Sequence, residues 1–173
     1  MRLTRYTDYS LRVLMYLAAY PDRICTIAEM ARAYGISQNH LMKVVHQLGK
    51  AGYVASVRGR YGGVRLARSA DTINVGAVVR QSEMQPGTEG LPMLDCPVCP
   101  IVPVCGLTGV VEEALAAFFA VLESYTLADL TAQRNTALLA IFALRAPLQQ
   151  IKSSNIILVS DPKLNWVISV GCA

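Results

Sequence analysis

The sequence is poor in the residue types that build catalytic centres. Its only histidines are His40 and His46. We find no Ser/His/Asp arrangement and no pair of carboxylates spaced as an acid and a base, so the sequence predicts a protein that is not an enzyme.

A hydrophobic run long enough to cross a bilayer is also missing, although 53% of the residues are hydrophobic. The apolar stretch at residues 136–144 is too short, and the stretch at 107–122 carries Glu112 and Glu113 near its middle. The first residues do not resemble a secretory signal. We therefore expect a soluble, cytoplasmic protein that does not interact with membranes.

Charge is unevenly distributed along the chain. Residues 1–70 contain eleven Lys/Arg and three Asp/Glu, a net charge of +8, whereas residues 71–173 contain five and nine, a net charge of −4. A basic first half is typical of proteins that bind nucleic acid, although a basic surface can also serve solubility alone.

The first fifty residues have the pattern of three helices. Apolar residues at helical spacing predict a helix over 7–20, and Thr26 with Glu29 has the spacing of a capping box that starts a second helix ending near residue 34. Gly35 supplies a turn, and Ser37 caps a third helix that extends to about residue 50. This arrangement predicts a helix-turn-helix.

A short hairpin follows the three helices. Residues 53–57 and 64–66 are predicted strands, joined by the basic, glycine-rich segment 58–63. A phosphate-binding loop would need a helix directly after the glycines, and a strand follows here instead. The predicted fold is therefore mainly α with a small β-wing: a winged helix-turn-helix plus a long dimerisation helix.

The third helix and the hairpin are the predicted DNA-binding elements. Polar side chains in the first turns of a recognition helix contact base edges, while arginines in a wing bind phosphates or a minor groove. The alternative for the helix is a solvated polar face. The predicted DNA-binding residues are Ser37, Gln38, Asn39, His40, Lys43, Arg58, Arg60, Tyr61, Gly62, Gly63 and Arg65.

Three of the five cysteines lie within ten residues. Cys96, Cys99 and Cys105 form a C-x2-C-x5-C array in a proline-rich segment, a pattern that suits a metal or an iron–sulfur cluster. A fourth ligand is missing, and a carboxylate or a second subunit could supply it. Three reduced cysteines in a loop are the alternative. Cys25 is predicted to be a buried apolar residue.

The remaining sequence predicts a connector with the cysteines at 71–106, a dimerisation region at 107–145 and a tail of unknown role at 146–173. The long helix at 107–122 is apolar enough to form a dimer seam, to pack back on the winged domain, or both. The tail contains strand-like segments at 156–160 and 166–170.

Residues 1–144 resemble the winged-helix iron–sulfur repressors of bacteria. The resemblance rests on MRLTRYTDY at residues 1–9, the segments YGIS at 34–37 and KAGYV at 50–54, VRGRYGGVRL at 57–66, the three cysteines, and YTLADL at 125–130. Within that group the nitric-oxide-sensing repressors are most similar.

The resemblance implies a homodimer that binds a [4Fe-4S] or [2Fe-2S] cluster through Cys96, Cys99 and Cys105, with Asp8 donated by the other subunit as fourth ligand. The repressors that control cluster assembly use a histidine where this chain has Thr108, which argues against that subgroup. The first two cysteines are closer together than is usual in the family, which leaves the cluster type open.

The function implied is that of a repressor that binds a double-stranded DNA operator. It would sense nitric oxide at the cluster iron atom that Asp8 ligates. Loss of that ligand would shift the recognition helices and lift repression. An iron- or redox-responsive repressor with the same site is the first alternative. An iron–sulfur electron carrier is the second, and the basic wing argues against it.

Overall fold

The computed structural model describes residues 3–83, 100–101 and 104–145 of the chain. Within these residues the protein has seven α-helices and one two-stranded antiparallel sheet, which confirms the predicted fold class. The elements are α1 Arg5–Ala19, α2 Ile27–Tyr34, α3 Gln38–Lys50, β1 Val54–Val57, β2 Gly63–Leu66, α4 Val75–Glu83, α5 Gly106–Glu123, α6 Leu127–Thr131 and α7 Asn135–Leu144. Short 3-10 turns lie at Ala70–Thr72 and Ala132–Arg134.

Helices α1, α2 and α3 pack around one apolar core. Leu14 and Leu17 of α1, Met30 of α2 and Leu41 of α3 are at most 1% exposed. Each such side chain contributes roughly 1.5–3 kcal/mol by leaving water, so this core holds the three helices in a defined arrangement.

The turn between α2 and α3 forms as the sequence predicted, but the capping contacts differ. Gly35 adopts the left-handed conformation (φ 66°), and Ile36 N–H bonds the Ala31 carbonyl at 2.9 Å. The Thr26 hydroxyl accepts the N–H of Glu29, whereas the Glu29 carboxylate bonds the Arg23 guanidinium at 2.8 Å instead of returning to the cap. The predicted capping box is therefore only half formed.

The third helix begins without the predicted side-chain cap. Ser37 occupies the N-cap position of α3, but within the described residues its hydroxyl makes no capping hydrogen bond. The Ser37 side chain is exposed, so its hydroxyl is accessible to solvent or to a ligand.

The wing is a hairpin tied to the connection between α1 and α2. Val54 pairs with Leu66 and Val57 with Gly63. Cys25 adds a bridge on the other side of β2, where its N–H and carbonyl bond Val64 at 2.9 and 2.8 Å. The wing is thus anchored through β2 to the core of the winged domain.

Helix α5 packs on α4 at its C-terminal end. Arg80 of α4 binds the Glu123 carboxylate at 2.7 Å and lies 4.0 Å from the centre of the Phe119 ring. At the other end Leu107 and Val110 are exposed. The last turns of α5 therefore pack on α4, in the predicted connector, and its first turns remain available to another surface.

Helix α7 was not predicted as a separate element. Its Phe142 is buried against the rings of Tyr16 (4.7 Å between centroids) and Tyr34 (5.4 Å). Such aromatic pairs add about 0.5–1.5 kcal/mol to their area burial. An apolar run with little periodicity becomes a helix here because α1 and α2 offer this aromatic pocket.

Three predicted features lie outside the described residues: Cys96, Cys99 and the strand-like segments of the tail. Among the helices that the structure does describe, none combines the length and the apolar character needed to cross a membrane.

Candidate functional site

The recognition helix α3 separates a buried face from a polar one. Leu41, Val44, Val45 and Leu48 are buried, and the predicted contact residues Ser37, Gln38, Asn39, His40 and Lys43 are all exposed. The same backbone that completes the core therefore places hydroxyl, amide and ammonium groups outward over its first two turns, the part of a recognition helix that contacts bases.

His40 differs from its neighbours in the predicted set. Its ring centre lies 6.4 Å from that of Tyr9 on α1. The imidazole of His40 therefore lies toward α1, at one flank of the polar face of α3.

The wing tip presents positive charge and one aromatic ring. Arg58, Arg60 and Tyr61 are exposed, Tyr61 by 83%, and the Arg60 guanidinium lies 5.8 Å from the Tyr61 ring centre. Gly59 has φ 118°, a value that L-residues with side chains avoid, and its carbonyl accepts the N–H of Gly62 at 2.9 Å. This turn holds the two arginines at the tip of the hairpin.

The other predicted wing residues lie nearer the base of the hairpin. Gly62 and Gly63 are half-buried, and Arg65 is exposed on β2 opposite Ala55. Arg65 therefore extends the positive surface of the wing toward the body of the domain, while the two glycines serve the chain path.

Arg68 is a positioning residue that the sequence did not reveal. Its Nε donates to the Gly52 carbonyl at 3.2 Å and its Nη2 to the Ala51 carbonyl at 3.4 Å, and the guanidinium lies 4.7 Å from the centre of the Tyr53 ring. The end of the wing is thereby fixed to the end of the recognition helix. A single arginine after a strand gives no sequence signal for this role.

Cys105, one of the three predicted cluster ligands, occupies the N-cap of α5 and is half-exposed. Hydrogen bonds from the backbone and hydroxyl of Thr108 and from the Leu107 N–H lower the pKa of its thiol. A helix N-terminus favours the thiolate, which is the form that binds iron. By donor chemistry Cys105 suits an iron–sulfur cluster.

Asp8, the predicted fourth ligand, lies in the first turn of α1. Its carboxylate binds the Arg12 Nε at 2.9 Å, and its side chain is 44% exposed. The ion pair with Arg12 uses one oxygen of the Asp8 carboxylate, and the side chain remains accessible to solvent. Asp8 thus fits a ligand that another surface could reach.

The start of α1 is tied to the end of α4, another contact without a sequence signal. Glu83 Oε1 accepts hydrogen bonds from the Thr4 N–H at 2.8 Å and from the Thr4 hydroxyl at 3.0 Å. Thr4 is the N-cap of the helix that carries Asp8, and Glu83 is the last residue of α4. The chain leading toward the cysteines therefore departs from a point fixed to that helix.

Residues 3–83, 100–101 and 104–145 contain no group of three or more His, Cys, Asp or Glu placed to hold a metal ion. Cys96 and Cys99 lie outside these ranges. Cys105 and Asp8 are the two predicted ligands that the structure describes, and each stands on the start of a helix.

The amino-acid sequence is similar to a known protein family and to individual proteins of known name. The profile of the Rrf2 family, described as iron-dependent transcriptional regulators, matches residues 3–133. The HTH-type transcriptional regulator NsrR of Bacillus subtilis is 49% identical over 136 residues, 75% of this chain and 90% of that protein. Its counterpart from Halalkalibacterium halodurans is 48% identical over the same lengths.

Solved structures give the same result for the fold. T. potens IscR matches with a TM-score of 0.64 and 26% identity over 79% of this chain and 90% of that one. CymR, the global cysteine regulator of B. subtilis, matches with a TM-score of 0.57 and 24% identity over 77% of this chain and 98% of that one.

Proposed function

The chain belongs to the Rrf2 family of transcriptional regulators, and on that basis we propose that it is a homodimeric DNA-binding repressor controlled by an iron–sulfur cluster that senses nitric oxide. The family membership confirms the resemblance drawn from the opening motif, the wing and the cysteines. It also makes the chain a regulator and not an enzyme.

DNA binding is the part of the proposal with the firmest structural support. The observation that carries it is the combination of a polar, exposed first half of α3 with an arginine-tipped wing on one domain. The recognition helix would enter the major groove through Gln38, Asn39 and Lys43, and Arg58 and Arg60 would bind phosphates or a minor groove. The target is a double-stranded operator in the bacterial cytoplasm.

The dimer is proposed from the exposed apolar ridge of α5. Leu107, Val110 and Val121 are 57%, 62% and 61% exposed. Exposed apolar side chains in a row on one helix are typical of a protein–protein interface. The division into a DNA-binding domain (1–70), a cysteine-containing connector (71–106) and a dimerisation region (107–145) follows from this role and stays a prediction.

The cluster ligands are proposed from the donor set and the resemblance. Cys96, Cys99 and Cys105 would hold the cluster, of [4Fe-4S] or [2Fe-2S] type, and Asp8 of the partner subunit would complete it. When bound, the cluster would supply an iron atom whose carboxylate ligand is weakly held, so that nitric oxide could bind to that iron atom. The relatives named NsrR support nitric oxide as the signal.

The response of the protein follows from what Asp8 is attached to. Asp8 lies on α1, which packs against α3 and, through Thr4 and Glu83, against the end of α4. Release of Asp8 would free α1 of one subunit from the cysteine segment of the other. The recognition helices would then move relative to each other and DNA affinity would fall.

Anaerobic reconstitution followed by nitric oxide titration tests the proposal. We expect a coloured protein with iron and sulfide that binds its operator, and we expect DNA binding to fall in step with the cluster absorbance. Cys96→Ala should lose the cluster and keep the fold, as judged by circular dichroism. An iron-free wild-type protein whose DNA binding ignores nitric oxide would contradict the sensor.

A parallel titration with an iron chelator separates the proposal from an iron-responsive repressor. If the chelator lowers DNA binding while a stoichiometric amount of nitric oxide does not, the signal is iron. A protein that holds a cluster but lacks specific DNA binding would be an electron carrier instead.

A further inference from the structure

One large apolar side chain stands on the outer face of the recognition helix. Met42 is 44% exposed, although the inner face of α3 is already formed by other residues. Among residues 3–83 the large hydrophobic side chains left exposed are Ile24, Met42 and Tyr61. Two of these three lie on the elements proposed to enter DNA, α3 and the wing tip.

Met42 lies among polar residues suited to reading bases. Residues four apart lie on one side of a helix, so Gln38, Met42 and His46 form one row, and Asn39 and Lys43 form the row beside it. Gln38 comes one turn before Met42, within the part of the helix that contacts base edges. Nearly half of Met42 is accessible to solvent, so its side chain can contact a ligand.

The major groove offers one apolar group on the base edges, the C5 methyl of thymine. A methionine side chain is long, unbranched and polarizable, which lets it contact such a methyl from the second turn of a helix. Gln38 and Asn39 in the first turn carry amides that pair with adenine edges. The three side chains together suit a stretch of A·T pairs.

We infer that Met42 is a specificity-determining residue, which selects a thymine in the operator by contact with its C5 methyl group. The inference rests on the proposed function, because it requires α3 to enter the major groove. It adds to that function an apolar contact from α3, a helix for which only polar and charged contact residues had been predicted.

Replacement of thymine by deoxyuridine tests the contact, since it removes only the methyl group and keeps every hydrogen bond of the base pair. The probe is a duplex selected by the wild-type protein from a pool with a randomised centre. Each thymine of the probe is replaced in turn and the Kd is measured. We expect about a fourfold loss of affinity at one thymine per recognition helix, the equivalent of one methyl-sized apolar group.

The variant Met42→Ala should bind the unmodified duplex more weakly, by roughly the same factor, and should be indifferent to deoxyuridine at that thymine. Alanine favours helix, and the site is exposed, so the variant should keep the wild-type thermal stability. Met42→Leu should retain most of the methyl sensitivity. Gln47→Ala, exposed on the opposite flank of α3, serves as the matched control and should show the wild-type deoxyuridine profile.

The outcomes separate this inference from the proposed function. If the wild-type protein selects a specific duplex but Met42→Ala shows the same deoxyuridine profile, Met42 does not read thymine and the regulator stands. If the wild-type protein selects no duplex under any cluster state, both fail. A Met42→Ala variant that binds DNA as the wild type does but no longer dimerises would assign Met42 to a protein contact and overturn the inference.

Discussion

At the scale of single residues, the environments of two cysteines determine what each can do. Cys25 is fully buried between α2 and β2, and burial raises the pKa of its thiol to about 12. Cys105 stands half-exposed at the start of α5, where hydrogen bonds to its sulfur lower the pKa. The sequence predicted this division from position alone: Cys25 beside a helix start as a packing residue, and Cys105 in the clustered array as a ligand.

The two thiols should therefore differ in reactivity in the cluster-free protein. At pH 8 a thiol with a pKa of about 12 is ionised to about one part in ten thousand, and the thiolate is the reactive species. We expect iodoacetamide to modify Cys105 readily and to leave Cys25 untouched, as peptide mass spectrometry would show. Unfolding in urea is the control, because both should then react. Equal rates in the folded protein would contradict the assigned burial.

At the scale of elements, the close approach of α4 and α5 joins the predicted connector to the proposed dimerisation helix. Gly76 of α4 faces the backbone of Glu123, and a Cβ at that position would lie 2.7 Å from the Glu123 nitrogen. Asn74 Nδ2 bonds the Glu123 carbonyl at 2.6 Å beside it. Only a residue without a side chain permits this approach.

Gly76→Ala should lower the free energy of unfolding by about 1–3 kcal/mol, because the backbone of α5 must move to admit the methyl group. Urea denaturation of the cluster-free protein, with both proteins at the same protein concentration, measures the change. Gly49→Ala in α3 is the matched control. Its nearest neighbour would be the Val54 carbonyl oxygen at 3.6 Å, so alanine should stabilise that helix by up to about 1 kcal/mol. Similar shifts in both variants would mean that α4 and α5 leave room for a methyl group at position 76.

The elements that the sequence predicted correctly are those with local signals. Helical periodicity, the Gly35 turn and the glycine-rich hairpin each depend on neighbours within a few residues, so α1 to β2 could be read directly. Helix α7 and the half-formed box at Glu29 could not, because Phe142 depends on rings from α1 and α2, and Glu29 depends on Arg23. The contact of Glu83 with Thr4 spans 79 positions and leaves no trace in the local pattern.

At the scale of the whole molecule, charge is divided between a basic half and an acidic half, +8 and −4. Within the basic half, the wing presents Arg58 and Arg60 to solvent. Contacts between such groups and phosphates release counterions, and each contact adds about 0.9 to the slope of log affinity against log salt concentration.

Arg58→Ala or Arg60→Ala should weaken binding to every duplex and reduce the salt slope by about 1 each. Fluorescence anisotropy over a range of salt concentrations measures both quantities. Arg134→Ala removes an exposed cation from the other half of the chain and should leave the slope unchanged. An Arg60→Ala variant with the wild-type slope would show that the wing tip does not meet a phosphate.

The bond of Arg68 to the end of α3 has a consequence for how an operator is recognised. Since the recognition helix and the wing are fastened to each other, each subunit of the proposed dimer would read a half-site as a unit of constant span. The proposed signal, acting through α1, would then change the separation of the two units and not the sequence that each one prefers. Duplexes selected by the cluster-loaded and cluster-free proteins should therefore share one half-site motif and differ in the length of the spacer.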